Sequence, residues 1–340
     1  MATTIRDVAE AAGVSAMAVS KVLHGTGATV RVSDETAKTI RRVAAELRYQ
    51  PNRLARNFRQ QKTNTIGLVF AHFARIGEYD GYFAALLNGV LTATFQSDFG
   101  LTICPELTES SSHGMINDGR FDGLLWCKPG FSEEGRESIQ RSAMPIVMMH
   151  APDGYGPSVP RFCCDNSQGL QLAIDHIVGL GHRKVAFVID PYNHTTAEGR
   201  TRANAFHAAM AKHDLATTDS DVLFWSVACS ELSEFMTRLD RHTALVVFSE
   251  RHAVSLLRTA DTLGINIPNE LSIVGFDSSA ICEATRPRLT AISQPIEQMA
   301  FDATKALISY IEAESFPSRS FIYPCGLDIR DSTACLPSRS

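Results

Sequence analysis

No stretch of this sequence is long and apolar enough to cross a bilayer, and its first turns carry Arg6, Asp7 and Glu10 where an export signal would need an uncharged run. A cytoplasmic chain with no membrane partner is expected. Paired cysteine spacing is missing too: the eight cysteines, at 104, 127, 163, 164, 229, 282, 325 and 335, are scattered, with no C-x-x-C among them. They read as buried thiols of a reducing compartment, which argues against a disulfide framework or a zinc site. There is no G-x-G-x-x-G after an apolar strand, no G-x-x-x-x-G-K-[ST] and no G-x-S-x-G, the motifs with which an α/β enzyme cradles phosphate or presents a nucleophile. Gly25-Thr26-Gly27 follows a helical pattern and reads as a loop. The expectation is a protein that is not an enzyme, with no catalytic residue, cofactor or metal.

Charge is nearly balanced overall, at −5 across 340 residues, but it is unevenly placed. Residues 1–62 hold eleven Lys and Arg against five Asp and Glu, a local +6, so the remainder carries −11. A basic first part attracts a phosphate backbone with salt-sensitive affinity, and an acidic remainder repels it.

Residues 4–59 explain that basic part. Thr4 with Asp7 three residues on has the spacing of a helix N-cap and its acidic partner, and Ile5, Val8, Ala9 and Ala12 then recur at helical spacing. Gly13-Val14-Ser15 breaks this helix. Gly13 suits the positive φ of a tight turn, and Ser15 caps a second helix over 16–23. Two short helices across a three-residue turn make a helix-turn-helix. Val14, Val19, Val22 and Leu23 are expected to pack inward, leaving Ala16, Met17, Ser20 and Lys21 facing base edges. Lys21 suits guanine O6 or N7, while Ala16 and Met17 offer apolar contact to a thymine methyl. A third helix starts at Ser33, carries Ile40, Val43, Ala44 and Leu47 on one face and stops near Tyr49, before Gln50-Pro51. After Pro51 come one or two further helical turns with three arginines, Arg53, Arg56 and Arg59.

Taken together, these motifs resemble the lactose/galactose-repressor (LacI/GalR) family of bacterial regulators. The matching residues are 4–9, 12–15, 19–23, Val32-Ser33 with Thr36, Leu47-Arg48-Tyr49 and 51–56. The resemblance implies that 51–59 is a hinge helix, paired with a partner's copy in the minor groove with an apolar wedge between base steps. It sets the DNA-contacting residues as Thr4, Ser15, Ala16, Met17, Ser20, Lys21, His24, Asn52, Arg53, Leu54, Arg56 and Phe58. Phe58 stands at the family's leucine position and is a larger, flatter wedge. The loop 24–31 is about two residues longer than is usual in the family, and His24 replaces a common asparagine.

From residue 63 the texture changes to short apolar runs alternating with amphipathic helical stretches, at 66–70, 101–104, 123–126, 146–149, 184–189, 222–225, 244–248 and 271–275. That pattern predicts parallel strands covered on both faces, in two doubly wound α/β lobes divided near 154–160. The family resemblance continues through Phe121-Asp122-Gly123-Leu124, Asp165-Asn166, Leu180-Gly181-His182-Arg183 and 272–277, and so covers nearly all of the chain. It implies the following whole: an all-α three-helix head over 1–50, a hinge helix and linker over 51–62, and a two-lobe body over 63–340 like a periplasmic binding protein. Lobe 1 takes about 63–158 and 294–323 and lobe 2 about 159–293 and 324–340, with crossings near Val159, Ser293 and Pro324.

Open α/β sheets place ligands at the carboxyl ends of their strands, here between the lobes. A polar ligand such as a sugar needs planar donors, carboxylate acceptors and an aromatic face. By resemblance, Arg202 is the arginine that opens the family's Arg-x-x-Gly-Phe stretch, and Asp277 is the carboxylate of its Gly-Phe-Asp-Asp. Trp225 falls at an often aromatic position, and Tyr82 and Phe83 fall where the family's Asn-Pro-Phe-Phe segment ends. Glu250 replaces an aspartate with one more methylene of reach, and Lys128, His72 and Arg75 are added candidates. His150 stands where an aspartate is common, and a histidine there makes ligand response pH-dependent. The resemblance implies a homodimer that binds a pseudo-palindromic operator as a repressor under control of a carbohydrate effector. The tail 334–340 is too short and proline-broken to add a tetramer-forming heptad helix. The competing readings, a solute-binding protein or a doubly wound enzyme without DNA function, lack an export signal and a reactive motif respectively.

Overall fold

The computed structural model describes residues 3–24, 30–50, 62–70, 80–104, 107, 116–127, 137, 139–151, 159–225, 242–313 and 320–336. They form two units, 1–63 and 64–340. In the first, helix α1 (Ile5–Ala11) is closed by a capping box: the Thr4 hydroxyl accepts from the Asp7 N–H, and the Asp7 carboxylate accepts from the Thr4 N–H at 2.7 Å. The Thr4 N–H and, at 2.9 Å, the Thr4 hydroxyl both donate to the Asp7 carboxylate and hold it below its ordinary pKa. Gly13 takes φ +64° at the turn, and α2 (Ala16–His24) follows, with Ser15 Oγ accepting from the Ala18 N–H at 3.2 Å. Helix α3 (Asp34–Glu46) is capped by Ser33, whose Oγ accepts from the Thr36 N–H at 3.2 Å. Val8, Val19 and Ile40 are wholly buried between the three helices, joined by Ala9, Ala18, Val43 and Ala44. Leu47, expected on the buried face of α3, is instead 37% exposed, because the helix stops at Glu46 and Leu47 serves as its C-cap.

The second unit is wound around two six-stranded sheets. Along the chain come β1 (Thr65–Phe70), α4 (Asp80–Gln96), β2 (Gly100–Ile103), β3 (Gly123–Cys127), β4 (Ile146–Met149) and β5 (Arg161–Cys164). Then follow α5 (Asn166–Gly179), β6 (Val185–Ile189), α6 (Pro191–Thr195), α7 (Ala197–Ala211), β7 (Val222–Phe224), β8 (Ala244–Val247) and α8 (Glu250–Thr262). Last are β9 (Ser272–Asp277), α9 (Ala280–Ala284), β10 (Thr290–Ser293), α10 (Ile296–Ala313), β11 (Ser320–Tyr323) and β12 (Gly326–Asp328). The first sheet has the order β11-β5-β4-β3-β1-β2 and the second β12-β10-β9-β8-β6-β7. All pairings are parallel except β10 with β12. Strands β3, β4, β6 and β8 are buried at every residue, as helices on both faces require.

The chain passes between the sheets at Asp165, at Gln294-Pro295 and at Pro324-Cys325. The first passage was expected near Val159, but Arg161–Cys164 pairs with β4 and β11 and belongs to the first sheet. The misplacement is physical: a four-residue strand that begins at Arg161 and ends in two cysteines has little apolar pattern to announce it. The unpredicted β10 and β11 are as short, and β12 is shorter still.

The segment after β12 is stitched into the second sheet. Ser332 Oγ donates to the Ile273 carbonyl at 2.6 Å and accepts from the Thr290 N–H at 2.8 Å. His182, 3% exposed, has Nδ1 2.9 Å from Thr243 Oγ1 and Nε2 3.0 Å from the Ala334 carbonyl, and His176 Nε2 lies 2.9 Å from Thr333 Oγ1. Burial lowers the pKa of both imidazoles below 6.5, and the proximity of His182 lowers His176 further. A histidine depressed on folding prefers to be neutral in the native state. Its contribution is therefore complete above the unfolded value near 6.5 and is lost as pH falls from there through the folded value. The midpoint of urea unfolding should be level above pH 7 and fall as the pH drops below about 6.5, and His182→Asn should flatten that fall. An unchanged slope in the variant would remove His182 from the account.

Candidate DNA-reading head and ligand cleft

In the head, α2 presents Met17 at 57% exposure, with Ser20 and Lys21 half-buried beside it. Ala16, expected beside Met17 on the outer face, leans instead against the helical core. The hydroxyls of Thr4 and Ser15 are engaged as caps, so a phosphate would meet them only alongside those bonds. The His24 side chain and residues 51–61, which include Asn52, Arg53, Leu54, Arg56 and Phe58, lie outside the described residues, as do Lys128, His72 and Arg75.

In the body, a small cavity of about 200 Å³ opens at the carboxyl ends of β9 and β10, against the first turns of α4 and α10. Gly81, Tyr82 and Ala85 line it from the first turns of α4, Asp277 to Ser279 from the end of β9, and Gln294 to Gln298 from the passage into α10. Asp277 and Ser278 take φ of +101° and +51°. Two consecutive non-glycine residues in this region are strained, and such strain is held at sites that use it. The Gln294 side-chain amide donates to Asp277 Oδ1, while Gln294 Oε1 is buried with no hydrogen-bond partner. Tyr82 OH lies 3.2 Å from Cys127 Sγ, and burial, reinforced by Cys127, Glu198 and Asp277, raises the phenol well above its ordinary pKa.

Deeper in the second lobe, Arg202 is only 1% exposed. Its Nε donates to Asn166 Oδ1 at 2.9 Å, Nη1 to the Phe248 carbonyl at 2.6 Å and Nη2 to Glu198 Oε1 at 2.8 Å. The guanidinium carbon sits 3.6 Å from the centre of the Phe276 ring. Burial alone would lower its pKa, but Glu198 and Asp277 carry it above the ordinary value, so the arginine stays charged. His150, at the end of β4, places Nδ1 3.8 Å from Glu198 Oε1 across the lobe boundary, and neither ring nitrogen has a hydrogen-bond partner.

Glu250 is buried and turned away from a free acceptor role. Its Oε1 accepts from Ser279 Oγ and its Oε2 from the Ser279 N–H, each at 2.6 Å. Burial, then the neighbouring Asp277, raises its pKa. The two lobes touch here. A Cβ on Gly81 would fall 1.9 Å from Ser279 Oγ and 2.5 Å from Glu250 Oε1, so only glycine allows this approach.

Of the expected ligand residues, then, Tyr82 and Asp277 reach the cavity, while Arg202 does not line it and instead stacks on the ring of Phe276, the residue before Asp277 in β9. Phe83 does not reach it: it packs 5.8 Å from Phe70 in the core of the first lobe. Trp225 is 5% exposed within the apolar cluster on the outer side of the second sheet. Sequence reasoning missed Gln294, Glu198 and Gly81. Gln294 stands directly before a proline after a short strand, and Glu198 is four residues before Arg202, a spacing that could have suggested the pair.

Residues 4–52 match the lacI family of bacterial regulatory proteins, and residues 174–333 match the periplasmic binding protein-like domain. The chain belongs to the LacI family. Among the family's members, catabolite control protein A of Priestia megaterium is 26% identical over 345 residues, covering 98% of this chain and 100% of the relative. The fold of this LacI-family chain is that of the lac repressor dimer solved with operator and the anti-inducer ONPF, at TM-score 0.81 and 20% identity over 98% of this chain and 100% of that one. It also matches a complex of the transcriptional regulator CelR with cellobiose, at TM-score 0.71 and 23% identity over 97% and 99% of the two chains. A LacI-family protein of this make-up is a DNA-binding transcriptional regulator and not an enzyme. No helix among its described residues is long and apolar enough to cross a membrane.

Proposed function

We propose that this LacI-family regulator is a cytoplasmic homodimeric repressor whose affinity for a pseudo-palindromic operator is set by a carbohydrate bound between its lobes. The observation that carries the ligand reading is the cavity where Tyr82, Asp277 and Gln294 converge, with strained backbone at Asp277 and an unpartnered acceptor on Gln294. A sugar hydroxyl donates to Gln294 Oε1 and Asp277, and the Tyr82 ring covers the apolar face of the pyranose. Arg202 and Glu198 hold the floor of the site, and Glu250 acts through Ser279 rather than by touching the ligand.

On the DNA side, Met17, Ser20 and Lys21 read bases from α2, Thr4, Ser15 and His24 approach phosphates, and the segment 51–62 pairs with its partner's copy, with Leu54 and Phe58 facing the minor groove. Ligand binding changes the angle between the lobes and thereby orders or melts the paired hinge. The lac repressor and CelR complexes support this reading by analogy.

Two measurements test it. Selection of the intact chain on random DNA should enrich pseudo-palindromes with half-sites about one helical turn apart. Lys21→Ala should then reduce discrimination at one guanine by about 1–3 kcal/mol while leaving other positions unchanged. Enrichment of unpaired sites, or of none, would remove the dimeric repressor reading. A thermal-shift screen against mono- and disaccharides, sugar phosphates and nucleosides tests the effector, since a ligand of the folded state raises the melting temperature.

A further inference from the structure

The turn that leaves β9 beside the cavity is held from two sides. Asp277 and Ser278 have φ of +101° and +51°, a region in which a residue with a β-carbon stays only where its surroundings hold it. On one side the Ser279 N–H and hydroxyl both donate to Glu250 of α8. On the other the Ser278 hydroxyl donates to Asp328 Oδ2 at 2.6 Å and accepts from Arg330 Nη1 at 3.1 Å. Arg330 comes from 52 residues further along the chain, after β12, and is not among the described residues that line the cavity.

Its guanidinium is itself fixed. Nε donates to Glu283 Oε1 of α9 at 2.5 Å, and Nη1 donates also to the Leu289 carbonyl, at the entry to β10, at 2.8 Å. The Arg330 N–H donates to Thr290 Oγ1 at 2.9 Å, and the side chain is 10% exposed. A planar fork of N–H donors meets acceptors on separate elements in fixed directions, which an ammonium on a flexible stem cannot do. The tie ends one residue from Asp277, whose carboxylate accepts from the Gln294 amide in the cavity wall.

We propose that Arg330 is a positioning residue for the ligand of this cleft: through the Ser278 hydroxyl it holds the strained turn that keeps the Asp277 carboxylate beside Gln294. The inference rests on the carbohydrate reading above only for what Asp277 meets there. Without the tie, Ser278 leaves the left-handed region, which is costly for any residue with a β-carbon, and Asp277 turns with it. Ser278→Ala cuts the tie alone, since Arg330 keeps Glu283 and the Leu289 carbonyl.

The test compares the full chain with Ser278→Ala, Arg330→Met and Arg330→Lys by amide hydrogen exchange without ligand. The Ser279 N–H, bonded to Glu250 Oε2, reports the turn. In Ser278→Ala and Arg330→Met it should exchange on the order of tenfold faster, while the amides of β9 and β10 keep wild-type rates. Arg330→Lys should restore only part of the protection. Isothermal titration with glucose, galactose, maltose and glucose 6-phosphate gives the second readout. Any of these that the wild type binds should bind Ser278→Ala about tenfold more weakly, at a melting temperature within a few degrees of wild type. Wild-type exchange at Ser279 in both variants, faster exchange in Arg330→Met alone, equal acceleration through β9 and β10, or a sugar bound equally well by Ser278→Ala would overturn the proposal. Ser278→Ala decides the question even if Arg330→Met fails to fold. A wild type that binds none of these sugars counts against the carbohydrate reading, whereas exchange at Ser279 decides the tie by itself.

Discussion

Arg202→Ala is expected to destabilise the body by about 3–5 kcal/mol, a loss readable as a fall in the urea midpoint. The side chain is 1% exposed, and its removal strands the Glu198 carboxylate, itself only 10% exposed, without its counter-charge. The Asn166 and Phe248 oxygens each lose a donor, and the Phe276 ring loses the cation stacked on it. Arg202→Lys keeps the charge but cannot reach three acceptors lying in different directions, so it should recover only part of the loss. Removing the stranded charge as well, in Arg202→Ala with Glu198→Ala, should be less harmful than the two single losses summed. A change under about 1 kcal/mol for Arg202→Ala would mean that water reaches Glu198 and that the buried ion pair described above is open in solution. The ligand readout separates structure from recognition: at a temperature where all variants are folded, a sugar that shifts the wild type should not shift Arg202→Lys.

The second large effect is expected from a single methyl group. Gly81→Ala places a carbon 2.3 Å from Ser279 Cβ, an atom fixed to backbone that no rotamer change can move. The first turn of α4 and the start of α9 must separate, and they belong to opposite lobes. Overpacking of this kind costs about 1–3 kcal/mol where it cannot be relieved. Here rotation of the lobes relieves it, so the cost should fall on closure and not on folding. The variant should keep its melting temperature within a few degrees, show a larger radius of gyration in solution scattering, and bind any cleft ligand at least tenfold more weakly. Unchanged scattering together with wild-type ligand affinity would show that the lobes do not need the contact at Gly81.

The three helices of the head were legible because each announces itself chemically. Thr4 with Asp7, Gly13 with Ser15, and Ser33 are caps and breakers whose roles follow from local hydrogen bonding, and the structure contains the bonds they predict. Leu47 was misplaced because apolar spacing says which face a residue shares but not where the last turn stops. In the body, long buried strands such as β1, β3 and β6 were visible as apolar runs, whereas Arg161–Cys164 and the strands after Thr290 were too short and mixed to stand out. The cleft was partly legible. Asp277 and Tyr82, singled out by resemblance, line the cavity, whereas Glu250 is engaged by Ser279 and Phe83 packs on Phe70. Gln294, Glu198 and Gly81 act only through neighbours distant in sequence, and no local pattern reports those.

The order of strands in the two sheets also bears on how the molecule is made. Every contact of the head's core joins residues between 5 and 49, so it can form as soon as those residues clear the ribosome. Neither sheet of the body has that freedom. The first is completed only by Ser320–Tyr323 and the second only by Gly326–Asp328, strands that emerge more than 150 residues after β5. A nascent chain therefore displays a finished DNA-reading head while both lobes still await their last strands.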